Sequence, residues 1–301
     1  MAQEKKWHIS AQDGIPRVCK AVVRPCPHGS QLTSHYETPQ EALDVADKIN
    51  EMITKGVDFD RDFKVMNVKG KGRVKGKSEK ALLYDRAMEL AIKEFEEVRQ
   101  QYSHSIAGQL KHVGIKNFDV NTENGEKIKI SQVDDTTANY LDEEAFEQSD
   151  DYANYLYPDK TKETLNYKGK KEKQAGSDIV KELSMNTPTG GMVKLDFERD
   201  KEGNYIPTED SVKILEDYAK FAFKIKEMKA TRGANRKRLM GAMKDADVDN
   251  IRIRNMSVKY DPAHYVVKVD KKKVKEDFGA DYGKYCKKVY KRTHVRAKAI
   301  N

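Results

Sequence analysis

Five residues able to ligate a transition metal, His8, Cys19, Cys26, His28 and His35, fall within 28 residues near the N-terminus. Two strands and a loop would bring His8, Cys19, Cys26 and His35 to one point, and a structural zinc takes four nitrogen or sulfur ligands. A unit of about 50 residues gains most from such a staple, because it is too small to bury a large core. The paired C-x2-C spacing of common zinc folds is absent. Two readings therefore stay open: a structural zinc, or thiols and imidazoles packed without metal.

Other chemistry-bearing spacings fail on geometry. The stretch GKGRVKGKS (70–78) stands between a strand-like run and a helix, the setting of a phosphate-cradling loop. Lys71 occupies the position that needs glycine, so the sequence reads as a basic loop leading to an N-cap at Ser78. Ser103, His104 and Ser105 are neighbours on a helix and point in different directions, which excludes a triad. Cys286 lies on the apolar side of its segment. No pattern specifies a reaction, and the reading leans away from an enzyme.

Charge is the stronger signal. The 301 residues carry 57 Lys and Arg against 49 Asp and Glu, a net +8, with 35% charged residues and a mean hydropathy of −0.85. Residues 224–301 hold 23 cations and nine carboxylates, net +14, so the rest of the chain is −6. Lys229, Arg232, Arg236, Lys237 and Arg238 cluster in one segment, Arg252 and Arg254 follow, and Lys271, Lys272, Lys273, Lys287, Lys288 and Arg292 form two more groups. Cations on one face, with Tyr265, Tyr285 and Tyr290 available to stack, suit a phosphate backbone. Conversely, 133–152 is acidic without a single basic residue. Its Asp142, Glu143 and Glu144, with Tyr152 and Tyr155, would either cover the basic region in cis or dock on a basic partner.

The elements that must position these groups alternate between hairpins and helices, which predicts an α+β fold. Residues 1–56 read as a small ββα-like module, with Thr38-Pro39-Gln40-Glu41 starting its helix. A helix with Tyr84, Met88, Ala91, Ile92, Phe95 and Val98 on one face and a hairpin at Asn124-Gly125 organise 57–157. Residues 158–191 are polar and read as a linker or long excursion. In 192–301, a hairpin at Glu202-Gly203-Asn204 precedes a helix capped by Thr208. Then come a hairpin turning at Asp261-Pro262 and a terminal helix with Tyr282, Tyr285, Cys286, Val289 and Tyr290 on one face. No run approaches the roughly 18 apolar residues of a membrane span, and MAQEKKWHIS lacks a secretory signal's apolar stretch. A soluble protein of a cytoplasm is expected, and a homo-oligomer is compatible with it.

The order His8, Gly14, Cys19, Ala21, Cys26-Pro27, Gly29, His35, Glu41-Ala42 resembles a short N-terminal module of phage and actinobacterial accessory proteins. The resemblance covers about one sixth of the chain, implies a phage or mobile-element origin, and transfers no catalytic residue. The expected function is a non-enzymatic accessory protein of a host-cell cytoplasm that binds nucleic acid or another polyanion through its basic C-terminal region. The alternative is a host-directed, anti-defence inhibitor that contacts a host protein through 133–152.

Overall fold

The computed structural model describes residues 6–10, 16–19, 29–32, 38–40, 43, 44, 46, 47, 50, 51, 63–121, 127–169, 193–253 and 256–300. The N-terminal strands β1 (Lys6–Ser10), β2 (Pro16–Cys19) and β3 (Gly29–Leu32) form an antiparallel sheet in the order β2-β1-β3. The described positions from 39 to 51 are helical, with Leu43 and Ala46 buried.

Beyond this module one pattern of elements occurs twice. The first pass is the hairpin β4 (Met66–Val68) and β5 (Lys71–Arg73), the long helix α1 (Lys77–His112), and the strands β6 (Asn117–Asn121), β7 (Lys127–Val133) and β8 (Thr136–Leu141). A short helix α2 (Glu143–Phe146), a 3-10 turn (Tyr152–Tyr155), β9 (Leu156–Lys160) and β10 (Thr164–Gly169) complete it. The second pass is β11 (Phe197–Arg199), β12 (Tyr205–Pro207), α3 (Glu209–Asp245), β13 (Asn250–Ile253), β14 (Met256–Asp261) and β15 (Tyr265–Val269). It ends with α4 (Lys271–Phe278), a 3-10 turn (Gly279–Tyr285), β16 (Cys286–Lys291) and β17 (His294–Ile300).

Matched hydrogen bonds show that this is a structural duplication. The Lys64 amide donates to Ser78 Oγ at 2.7 Å, as Asp196 does to Ser211 Oγ at 2.7 Å. After each long helix the chain turns through a positive φ, at Gly114 (77°) and Asp247 (52°), and Ile115 N and Val248 N then reach back to Leu110 O and Met243 O. Gln132 N donates to Lys116 O, and Tyr260 N to Asp249 O, both at 2.8 Å.

The two repeats interlock. The three-stranded sheet β17-β7-β6 and the five-stranded sheet β10-β14-β13-β5-β4 each join strands of both repeats. In the latter, β5 meets β13 in parallel at Gly72, where a Cβ would lie 2.8 Å from Ile251 Cγ1 and 2.9 Å from Asn250 O. That position therefore admits only glycine. Both sheets pack Val120, Ile128, Ile130 and Val295, or Leu165, Ile251, Ile253 and Val258, into one core with Leu82, Met88, Phe95, Leu215, Tyr218 and Phe221 of the helices. Phe95 and Phe221 meet edge to face at 5.8 Å.

The described chain divides into two compact units. One comprises Met1–Val133, Leu165–Tyr260 and His294–Asn301, and the other Asp134–Thr164 and Asp261–Thr293. The second unit is again reciprocal. β8 pairs β16 with Leu141 opposite Cys286, and β9 pairs β15 with Leu156 opposite Val269. Asp142 N donates to Tyr285 O and Asp270 N to Tyr155 O, both at 2.8 Å. Its core is Phe146, ringed edge to face by Tyr152, Tyr155, Phe278 and Tyr285 at 5.2–5.9 Å.

The α+β reading holds, with corrections. Residues 286–291 are a strand, not part of a terminal helix, because Tyr282 and Tyr285 end in a 3-10 turn against the Phe146 core and release the chain to pair with β8. Asp261-Pro262 does not close a hairpin. β14 and β15 enter different sheets, and the reversal falls between β13 and β14, with Ile253 opposite Met256. The GKGRVKGKS stretch is mostly the β4–β5 hairpin and its exit, Gly76 holds the N-cap position of α1, and Ser78 faces inward onto Lys64 N. Ser103 to Ser105 lie inside α1, which runs ten residues past Tyr102. The expected linker contributes β9 and β10 as far as residue 169, and the rest of it lies outside the described residues. Thr208 does cap α3, accepting from Ser211 N at 3.4 Å.

Because each repeat supplies strands to the other's sheets, neither should close alone. Fragments 1–180 and 185–301 are expected to be unfolded separately by circular dichroism and to regain structure as a 1:1 complex on mixing. A cooperatively folded monomer of either fragment would contradict the interlocked arrangement.

Candidate functional site

The residues singled out from the sequence divide between the two units. In the first, α3 carries Lys229, Arg232, Arg236, Lys237 and Arg238 on one continuous helix through Gly233. Three of these are turned onto carboxylates of α1, against the expectation of a free cationic face. Lys229 ion-pairs Glu96, Arg232 Nη2 lies 3.5 Å from Asp85 Oδ2 and 3.2 Å from Glu89 Oε2, and Arg236 Nε is 4.0 Å from Asp85. The helix pairing that buries the apolar stripes brings these groups face to face. Lys237 and Arg238 are exposed, as is Arg252 on β13, and Arg254 lies outside the described residues.

In the second unit the acidic and basic stretches meet. The segment 134–164 has ten carboxylates and two lysines, whereas 261–293 has five carboxylates and ten cations. Reciprocal strand pairing sets them side by side: Glu143 with Lys271 at 2.5 Å, Asp142 with Lys287 at 3.9 Å, and Asp159 with Lys268 at 2.6 Å. The Lys268 ammonium, by its hydrogen bond, holds the Asp159 carboxyl below its ordinary range. Lys272 pairs with Glu276, and Lys273 sits over the Tyr155 ring. Lys288 and Arg292 are exposed. In a groove of about 470 Å³ bounded by Tyr140, Asp142, Glu143, Glu144, Lys271 and Lys287, both lysines are paired with carboxylates, Lys271 with Glu143 and Lys287 with Asp142.

Tyr152 and Tyr155, expected on a docking surface, instead pack around Phe146. Tyr285 does the same, whereas two of the expected stacking tyrosines, Tyr265 and Tyr290, are widely exposed at 70% and 61%, with the Tyr290 hydroxyl donating to Asp135. Of the proposed metal ligands, His8 lies on β1 opposite Arg17 and Cys19 on β2 opposite Lys6, while Cys26 and His35, with His28, lie outside the described residues. Among the described residues no group of three or more His, Cys, Asp or Glu is placed to hold a metal. Likewise, no helix among them is long and apolar enough to cross a membrane.

Further outward-facing cations lie on the sheets, most of them at positions not singled out from the sequence. On β17-β7-β6 the inward positions are Val295, Ala297, Ile128, Ile130 and Val120. The alternate positions present Lys127 and Lys129 beside Ile300 and Lys298, with Arg296 opposite Ser131. On the five-stranded sheet, Lys71 and Arg73 of β5, Arg252 of β13, Lys259 of β14 and Lys168 of β10 take the outward parity. Only Asp119 and Asp261 bring carboxylates to these two faces among the described strand residues. The signal was present as Lys-x-Lys and Arg-x-Lys alternation with aliphatic residues, the mark of a half-buried strand.

No family model, curated protein or solved structure matches this chain.

Burial is the largest influence on the carboxyl of Asp85. It pushes this group above its ordinary value of 3.8, against the opposing pull of Arg232, the Tyr167 hydroxyl and Arg236. A raised carboxyl favours the folded state while protonated, so its contribution is complete below 3.8 and is lost as pH rises through the raised value. Asp85→Asn keeps an acceptor for Tyr167 but has no proton to lose. Denaturation series should show the variant gaining stability relative to wild type as pH rises from about 4 to 8; a pH-independent difference would contradict this.

Proposed function

We propose that the protein binds nucleic acid, or a polyanion of similar charge density, through the outward faces of its two interlocked sheets. The observation that carries the reading is the scarcity of carboxylates among the described strand residues of those faces, Asp119 opposite Lys129 and Asp261, in a chain with 49 Asp and Glu. Elsewhere, α3 and the second unit pair most of the named cations with acids. Cations two residues apart on a strand repeat at roughly 6.7 Å, which gives a row of point charges suited to a phosphate backbone.

The reading keeps the polyanion partner expected from the composition and moves the contact from the arginines of α3 to the sheets. These faces carry lysine and arginine without aromatic rings, so contact would be to phosphates and largely independent of base sequence. In the phage setting implied by the N-terminal resemblance, this is an accessory protein that coats or tethers nucleic acid without chemistry of its own. The competing reading, an acidic surface that occupies a host protein, has less support, since Asp142, Glu143 and Asp159 are spent on lysines of the same unit.

Double charge reversals test the surface. Lys129→Glu with Lys298→Glu, and Lys71→Glu with Arg73→Glu, should each weaken oligonucleotide binding and lower the slope of log K against log salt by roughly 1–2. Lys272→Glu with Lys288→Glu should leave the slope unchanged. A slope altered only by the last pair, or binding insensitive to salt, would overturn the proposal.

A further inference from the structure

The duplicated scaffold contains its own control. Helices α1 and α3 run antiparallel, and Glu96 and Lys229, equivalent positions of the two repeats, meet each other as residues on a two-fold axis do. On one side of that crossing the sheet is met by neutral, partnered groups. The Tyr218 hydroxyl donates to Val295 O at 3.3 Å, and Ser103 Oγ donates to Val295 O at 3.2 Å while accepting from Val295 N at 3.0 Å.

On the other side Asp85 stands where Tyr218 does, Arg236 where Ser103 does, and Arg232 where Arg99 does. The Asp85 side chain is 0% exposed and that of Arg232 14%. Asp85 Oδ2 accepts from the Tyr167 hydroxyl at 2.7 Å. Asp85 Oδ1, Arg232 Nε and Nη2, and Arg236 Nε have no hydrogen-bond partner, Nη2 lying near its carboxylates but off the line of a bond. Helix and sheet close at the equivalent position with Tyr218 and Ser103 in place of Asp85 and Arg236, so the fold does not require this buried ion cluster. Buried charges with unfilled donors are costly to keep for packing alone.

The same two arginines line a groove of about 340 Å³ with Lys93, Lys229, Gly233, Ile92 and the carboxylates of Glu89 and Glu96, of which Glu96 pairs with Lys229. The guanidiniums of Arg232 and Arg236 share the carboxylates of Asp85 and Glu89, and Lys93 adds a further cation to the lining. We infer that this groove binds a phosphate group, free or esterified, with the guanidiniums of Arg232 and Arg236 as its ligands. Planar guanidinium forks match the oxygens of a phosphate in pairs, and the volume is that of a small-ligand site. Gly233 lines the groove, and a Cβ there would meet nothing within 4 Å, so a side chain can be introduced without a clash. The site is separate from the sheet faces, so either proposal can fail without the other.

The test is calorimetric titration of the full chain, at fixed ionic strength, with inorganic phosphate, adenosine monophosphate and a short oligothymidylate. Arg236→Gln and Gly233→Leu should each weaken binding by about tenfold or more, whereas Arg99→Gln, at the neutral side, should not. Gly233→Leu fills the groove while improving helix propensity, so its thermal midpoint should not fall, and a folding defect cannot explain its loss of affinity. Weakened binding of phosphate or the mononucleotide identifies a small ligand, and weakening confined to the oligothymidylate identifies a backbone phosphate. Absence of saturable binding by all three probes, or wild-type affinity in both variants, would overturn the site.

Discussion

Strand exchange between the two repeats is the constraint on which the rest of this structure depends. β17 completes the sheet begun by β6 and β7, β10 lies beside β14, and β8 and β9 take β16 and β15 as partners. Each pairing has its reciprocal, so the energetic unit is the pair of repeats, as in an isologous dimer whose subunits are joined in one chain. The long helices can then carry polar residues at their crossing, because the sheets and not the crossing alone fix their positions. Contacts of such large sequence separation come late in folding and raise its entropic cost.

The same exchange settles the electrostatics. An acidic segment and a basic segment more than a hundred residues apart in the chain become facing halves of one unit, and their charges largely offset each other. On α1 and α3, the helix pairing matches Glu96 with Lys229 and Asp85 and Glu89 with Arg232. Among the described strand residues the two sheet faces hold few carboxylates, Asp119 opposite Lys129 and Asp261 on β14. The net +8 is thus best understood by asking which cations are left without carboxylate neighbours on their own surface.

Much of the local structure was legible in the residues. Apolar spacing marked both long helices, Glu202-Gly203-Asn204 marked its hairpin and Thr208 a helix start; β6 and β7 pair on either side of Asn124-Gly125, which lie outside the described residues. The duplication was not, because little sequence identity survives it. Asp151-Tyr152-x-x-Tyr155 against Asp281-Tyr282-x-x-Tyr285, and Ile92-Lys93-Glu94 against Ile225-Lys226-Glu227, are among the few clear matches. The pairing of the α3 arginines was not legible for a related reason. A run of arginines such as 232–238 looks exposed in one dimension, and only the opposing helix reveals that Arg232 and Arg236 face Asp85. Lys127, Lys129, Arg296 and Lys298 are spread over distant strands that converge only through the exchange.

The most direct test is a lysine-reactivity footprint read by mass spectrometry with and without duplex DNA. Binding across the sheet faces predicts slowed acylation at Lys71, Lys127, Lys129, Lys168 and Lys298, with Lys272 and Lys288 unchanged. Protection confined to Lys237 on α3, or to lysines of the second unit, would contradict the account.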